Sequence, residues 1–315
     1  MSVNISELVT STLRHRNNMF ADNITEDVAL LAHLKRGNRI VNVNGGRTIT
    51  ESLIYPENGS AQWYRDMDTF TIAAEEILTA AEYDWSQLGA FIYLTGREKI
   101  MNRSTEEAID LVRARISAAQ ATLANMTGAA LYSDGTTTNM IGGLQHLISD
   151  TPTVSASVGG IDASVLGQEY WQNAVESVGA ALDPTNIQTA MNNLYLKVKR
   201  GQDKTNLITA AYDAYSAYWS SLQAIQRIQQ AQTADAGYQE LFFNGAPVLA
   251  DDQCPDGHMY FLNTKFLKLK CAPDRKWSPD TKRLIDNADY EVTPIWFAGQ
   301  LVTSNRARQG VLFGT

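Results

Sequence analysis

Apolar and polar positions change their period several times along the chain, and each change marks a predicted element. Residues 4–20 and 25–36 carry apolar side chains at helical spacing, as at Ile5, Leu8, Val9 and Leu13, which predicts two short helices. Thr25 is the expected N-cap of the second, Glu26 and Asp27 suit its positive dipole end, and Gly37 is expected to stop it. A short strand (Ile40, Val41, Val43) leads to Asn44-Gly45-Gly46, a turn or bulge signal. Alternation then takes over: Arg47, Ile49, Glu51, Leu53 and Tyr55 share one face, and Thr48, Thr50, Ser52 and Ile54 the other. The turn-forming residues 56–60 make a natural tip, and residues 62–70 read as the returning strand. At about 3.3 Å per residue, such a ribbon reaches roughly 30 Å.

Residues 77–101 read as a strand pair rich in aromatic and branched side chains, with Gly96 near its end. Ser104 to Glu107 then form a capping box. Behind it Ile109, Val112, Ile116, Ala119, Leu123, Met126 and Ala130 recur at spacings of 3, 4, 3, 4, 3 and 4. That stripe predicts one helix over 104–131, about 40 Å long. It is rich in alanine and strands precede it, so a helix lying on a sheet is favoured over a coiled coil. Residues 136–168 have loop composition, and Asp183-Pro184 starts a helix buried through Ile187, Met191, Leu194 and Val198. A strand at 206–209 precedes a helix reaching residue 230, and 238–270 and 289–303 are strand-like. This order of elements is α+β.

Composition narrows the picture without deciding it. The 315 residues are 44% hydrophobic and 19% charged, enough for a sizeable core. A formal net charge of −8 argues against a dedicated nucleic-acid binder, which needs a basic surplus. Cys254 and Cys271 are too few for a disulfide framework, so a reducing cytoplasm is expected. The start lacks a signal-peptide core, and no run of about eighteen apolar residues predicts a membrane span.

Candidate chemistry is sparse. His15, His33, His146 and His258 share no motif. Cys254 and His258 lie close enough to be half of a metal site, but zinc needs three or four ligands and no second pair completes the set. The Gly-Gly pairs at 45–46 and 159–160 lack phosphate-loop spacing, and no GxSxG occurs. Glu75-Glu76 and Glu106-Glu107 read as solvated or capping groups. Lys197, Lys199, Arg200 and Lys204, joined at a distance by Lys265, Lys268 and Lys270, read as a solvated basic face, with a weak phosphate-contact patch as the alternative. Neither catalytic residues, cofactor nor metal is expected.

The ribbon asks for a partner. A two-stranded hairpin alone is at best marginally stable in water, yet this one carries Leu53, Ile54, Tyr55, Trp63 and Tyr64 around its tip. The stretches GGRTITESLIYPEN, LTAAEYDWSQLGAFIYLTGREKIMN, the long helix ending in ALYSDG, then GLQHLIS, VGGIDAS, MNNLY, YFLN and NRARQGVLFG follow in an order that resembles the major capsid proteins of tailed bacteriophages. The fold of that family is shared with the herpesvirus capsid floor.

The resemblance implies a division into an N-terminal arm (1–44), an extended loop (45–75) and a peripheral domain (76–135) with a spine helix at 104–131. An axial domain (136–289) and a C-terminal strand returning to the peripheral domain (290–315) complete it. It implies a non-enzymatic protein that self-assembles into hexamers and pentamers, forming an icosahedral head around double-stranded DNA held weakly. The expected subunit-interface residues are Arg47, Leu53, Tyr55, Trp63, Tyr64 and Arg65 of the extended loop. Expected partners are further copies of the chain, a separate scaffolding protein, a cement or decoration protein and a portal, with no membrane. The expected location is the virion, after assembly in the bacterial cytoplasm. Some relatives weld subunits through a lysine of this loop; here no lysine lies between Lys35 and Lys99, so that bond is not expected. An encapsulin-like compartment shell and a monomeric α+β enzyme are the alternative readings.

Overall fold

The computed structural model describes residues 28–55, 61–66, 69, 78–101, 105–154, 157–226, 241–281, 283–284 and 289–314. The helix over 4–20, the Thr25 cap with Glu26 and Asp27, the ribbon tip at 56–60 and the Ser104 cap lie outside them. In chain order, helix Ala29–Arg36 is followed by β1 (Ile40–Asn42), β2 (Ile49–Ile54), β3 (Leu78–Tyr83) and β4 (Ser86–Thr95). Helices Gly96–Met101, Thr105–Ala130 and Leu144–Leu147 come next, then β5 (Ala174–Ser177) and helix Ile187–Val198. After β6 (Leu207–Ala210) and helix Tyr212–Gln226 come β7 (Leu241–Phe243), β8 (Ala246–Ala250), β9 (His258–Leu262) and β10 (Leu267–Pro279). The chain closes with β11 (Arg283–Leu284), β12 (Tyr290–Thr303) and β13 (Gly310–Phe313). The class is α+β, as the order of elements predicts.

Two larger sheets and the two-stranded β2-β3 ribbon organise these strands. In the first, β12 pairs antiparallel with the whole of β4, from Tyr290 opposite Thr95 to Gly299 opposite Ser86. On its other edge β12 pairs with β10, and β1 adds in parallel beyond. The helix Thr105–Ala130 lies on this sheet, with Leu123 packed against Ile92 and Ile295 and with Ile116 and Ala119 alongside. The inner row continues from Leu123 to Thr127 and Ala130, whereas Met126 is exposed, contrary to the predicted stripe. Thr127 tolerates burial because its hydroxyl donates to the Leu123 carbonyl at 2.7 Å and accepts from Trp277 Nε1 at 3.3 Å.

The second sheet has the order β5-β13-β9-β6-β8-β7. Helix Ile187–Val198 buries Ile187, Met191, Leu194 and Val198 on it, the face its spacing predicts. The regular helix begins at Ile187, and the turn ahead of it is capped as expected: the Asp183 carboxylate accepts the N–H groups of Thr185 and Asn186, and the Ile187 N–H donates to the Asp183 carbonyl at 3.1 Å. Gly310 of β13 lets the helix come close: a Cβ there would meet Leu194 and Val198 side chains at 2.8 Å. The segment 290–315 is therefore divided: β12 joins the first sheet with β4, while β13 crosses into the second beside β5 and β9.

Other differences are local. Helix Leu144–Leu147 interrupts the stretch expected to be loop, burying Leu144 and Leu147. The left-handed residue after helix Ala29–Arg36 is Asn38, with φ 53°, while Gly37 keeps an ordinary φ of −77°. This first helix docks on its own chain: Leu30 and Leu34 are fully buried in the central core with Leu131, Leu144 and Leu301. Its entry is held by Asp251, whose buried carboxylate accepts the Leu30 N–H at 3.3 Å and the Tyr132 hydroxyl at 3.0 Å. Burial raises the Asp251 pKa, with these hydrogen bonds opposing.

Candidate self-association surface

The ribbon is paired differently from its predicted form. Its second strand is β3, running from Tyr83 opposite Ile49 to Leu78 opposite Ile54, and the segment 61–66 is coil, not a returning strand. The predicted strand pair over 77–101 is accordingly parted, since β3 belongs to the ribbon and β4 to the first sheet. Alternation along β2 points Ile49 and Leu53 inward, where they join Ala81 and Tyr83 of β3 in the central core.

Polar contacts fix the same base. Glu51 pairs with Lys270 at 2.9 Å, and that ammonium donates to the Thr50 carbonyl at 2.8 Å. The Tyr83 hydroxyl donates to the Thr303 carbonyl at 3.0 Å, and burial pushes its pKa well up. Glu82 N–H donates to Gly159 O at 2.9 Å; Gly159 has φ +60°, and a Cβ there would stand 2.9 Å from the Ala81 methyl.

Beyond this anchored base several described apolar side chains of the ribbon face solvent. Ile54 and Leu78, directly opposed in the register, are 76% and 70% exposed. Trp63 is fully exposed and Tyr64 largely so. A second exposed patch lies on the first sheet, where Phe91 meets Trp296 edge-on at 5.2 Å and Tyr93, also exposed, is contacted by Arg115 of the long helix. Gly89 makes room for Trp296, since a Cβ would approach its ring to 2.7 Å. Arg275 lies 5.6 Å from the Trp296 ring centroid, and Arg115 5.6 Å from that of Tyr93 while pairing with Glu98 at 2.9 Å. The Arg115 hydrogen bonds lower the Glu98 pKa, against burial.

The six expected interface residues separate accordingly. Arg47, Trp63, Tyr64 and Arg65 are exposed. Leu53 is buried by its own subunit and is corrected to a core residue. Tyr55 is 37% exposed and stacks on Tyr170 of the same chain, with ring centroids 4.6 Å apart. Ile54, noted among the apolar side chains of the tip, was left out of the interface set and Leu78 was missed, because both faces of β2 carry an apolar residue and alternation alone does not say which face the body covers. Phe91 and Tyr93 did leave a signal, two aromatics at alternate positions opposite the buried Ile92.

The remaining candidates have plain structural places. Cys254 is buried, its thiol pKa is pushed far up by burial, and it donates to the His258 carbonyl at 3.5 Å. Burial pushes the Cys271 thiol up to about 12. Lys197 pairs with Glu176 at 2.5 Å, Lys265 with Asp203 at 2.9 Å, and Lys268 lies 3.7 Å from Glu51. Exposed pairs of this kind contribute about 1 kcal/mol at most. Among the described residues no three or more His, Cys, Asp or Glu side chains gather as a metal site, and no helix is long and apolar enough to cross a membrane.

A helix-backed sheet, a second sheet with its own helices and a projecting ribbon together define the tailed-phage major capsid protein fold. Over 94% of its length the chain is similar to the capsid subunit of cyanophage A-1(L), with a TM-score of 0.67, 16% identity and 95% of that chain covered. It is similar to the capsid of a native GTA particle at a TM-score of 0.66 and 14% identity, covering 95% of this chain and 94% of that one. The SrpI encapsulin of Synechococcus elongatus shares the fold at a TM-score of 0.57 and 11% identity, with 97% and 94% covered. No family model matches the sequence, and no curated protein matches it.

Proposed function

We propose that this chain is the shell-forming subunit of a phage head, assembling through its ribbon and sheet faces into hexamers and pentamers around double-stranded DNA. The observation that carries this reading is the ribbon: a base tied into its own core, and an outer end that presents Ile54, Leu78 and Trp63 to solvent. Covering such side chains against a second copy favours association by about 1.5–3 kcal/mol each, before the cost of ordering. A head-to-tail contact of this kind closes into rings when its rotation closes.

In this reading residues 1–44 are the arm and 45–75 the extended loop, reaching over a neighbour. The long helix and first sheet form the peripheral domain, and the second sheet forms most of the axial domain around the capsomer axis. A separate scaffolding protein, a decoration protein and a portal are the further partners. DNA is held weakly, as a chain with net charge −8 favours. The role is structural, without catalysis.

The likeness to the SrpI encapsulin supports a second reading, a compartment shell that holds protein cargo. Electron microscopy of the purified protein under assembly conditions tests both. Closed shells, tubes or rings are expected, and a persistent monomer overturns the shell reading in either form. Ultraviolet absorbance of shells purified from infected cells then separates DNA-filled heads from cargo compartments.

A further inference from the structure

A cleft of about 280 Å³ opens where the ribbon meets the body. One wall is Ile54 and Tyr55, with Tyr55 stacked on Tyr170. The opposite side carries Arg200, Ser304, Asn305 and Arg308. Two cations thus share one small space, and their mutual repulsion costs stability unless an anion sits between them.

Their local structure holds them there. Arg200 opens a tight turn in which its N–H and carbonyl both bond Asp203 at 3.0 Å, with Gly201 supplying φ +57°. Arg308 donates from Nη1 to the Val198 carbonyl at 3.2 Å, which leaves its other donors free to face the cleft. Burial, and after it the Arg200 charge, lower the Arg308 pKa. The carboxylate of Asp203 is engaged by Lys265 at 2.9 Å. Glu169 also lines the cleft, with Oε2 accepting the Gly167 N–H at 3.0 Å. Glu169 and Asp203 against Arg200, Arg308 and Lys265 leave a net positive site. The side chains of Arg200, Ser304 and Asn305 make no hydrogen bond or ion pair among the described residues.

From this geometry we infer that the cleft is an oxyanion site, taking a phosphate or carboxylate group between Arg200 and Arg308 with Ser304 and Asn305 as further donors. Planar guanidiniums suit such groups, because each offers paired N–H donors that match two oxygens. An anion here ties the turn at Arg200 to the loop 304–308.

The test needs no assembly and stands apart from the shell reading. Inorganic phosphate, and separately acetate, are titrated calorimetrically into the unassembled full-length chain at constant ionic strength set with chloride. Saturable one-to-one binding of at least one of them is expected, with phosphate the tighter if the natural group is a phosphate and acetate if it is a carboxylate. Arg200→Ala changes an exposed side chain and should bind about tenfold more weakly, whereas Glu169→Gln should bind more tightly. Ser304→Ala, a smaller change, should weaken binding about threefold. Absence of saturable binding by both anions, or equal affinity in wild type and Arg200→Ala, overturns the inference.

Discussion

His258 stacks against Tyr260 and Phe313, and its Nε2 lies 3.1 Å from Asp150 while Nδ1 lies 2.7 Å from the Asp256 carbonyl. The Asp150 contact raises the His258 pKa above 6.5, outweighing burial, so the folded state favours the charged ring. This stabilisation is full below 6.5 and fades as pH rises through the higher folded value. Wild type should therefore lose more of its urea midpoint than Asp150→Asn between about pH 5.5 and about pH 8.5. Equal losses would show that the pair does not titrate with folding. None of this was legible beforehand, because Asp150 and His258 are 108 positions apart. Alternation did place Ile49, Leu53 and Tyr55 on one face correctly, and left open whether that face met the chain itself or a neighbour.

At the scale of elements, the long helix was legible in its span and in its role as a helix on a sheet. Its inner row was legible only in part, since a sheet beneath accepts side chains along a line that drifts with 3.6 residues per turn. Leu123, packed on Ile92 and Ile295, should cost about 2–5 kcal/mol when changed to Ala. Met126→Ala, at an exposed position, should cost less than about 1 kcal/mol. Chemical denaturation of the unassembled chain measures both, and comparable losses would return Met126 to the core. The ribbon shows the opposite case. Its first strand was legible from alternation, but its partner is Leu78–Tyr83, far along the chain, and a sequence pattern does not report which of two later strands wins the pairing.

For the whole molecule, the exposed apolar groups at the ribbon's outer end and on the first sheet give the assembly prediction. Changing Trp63 and Tyr64 together to Ala should leave the thermal melt of the unassembled chain within about 0.5 kcal/mol of wild type while reducing particle yield severely. Sedimentation and circular dichroism check the two halves, and a lowered melt with normal assembly would place these side chains in the subunit's own stability. Local periodicity was enough for the α+β class, the long helix, the buried face of helix Ile187–Val198 and the alternation of β2. The partner of β2, the crossing of β13 into the second sheet and the burial of Leu53 emerge first in the tertiary structure. It alone joined Arg200 and Arg308 in one cleft, because these depend on which distant segments compete for the same edge, face or space.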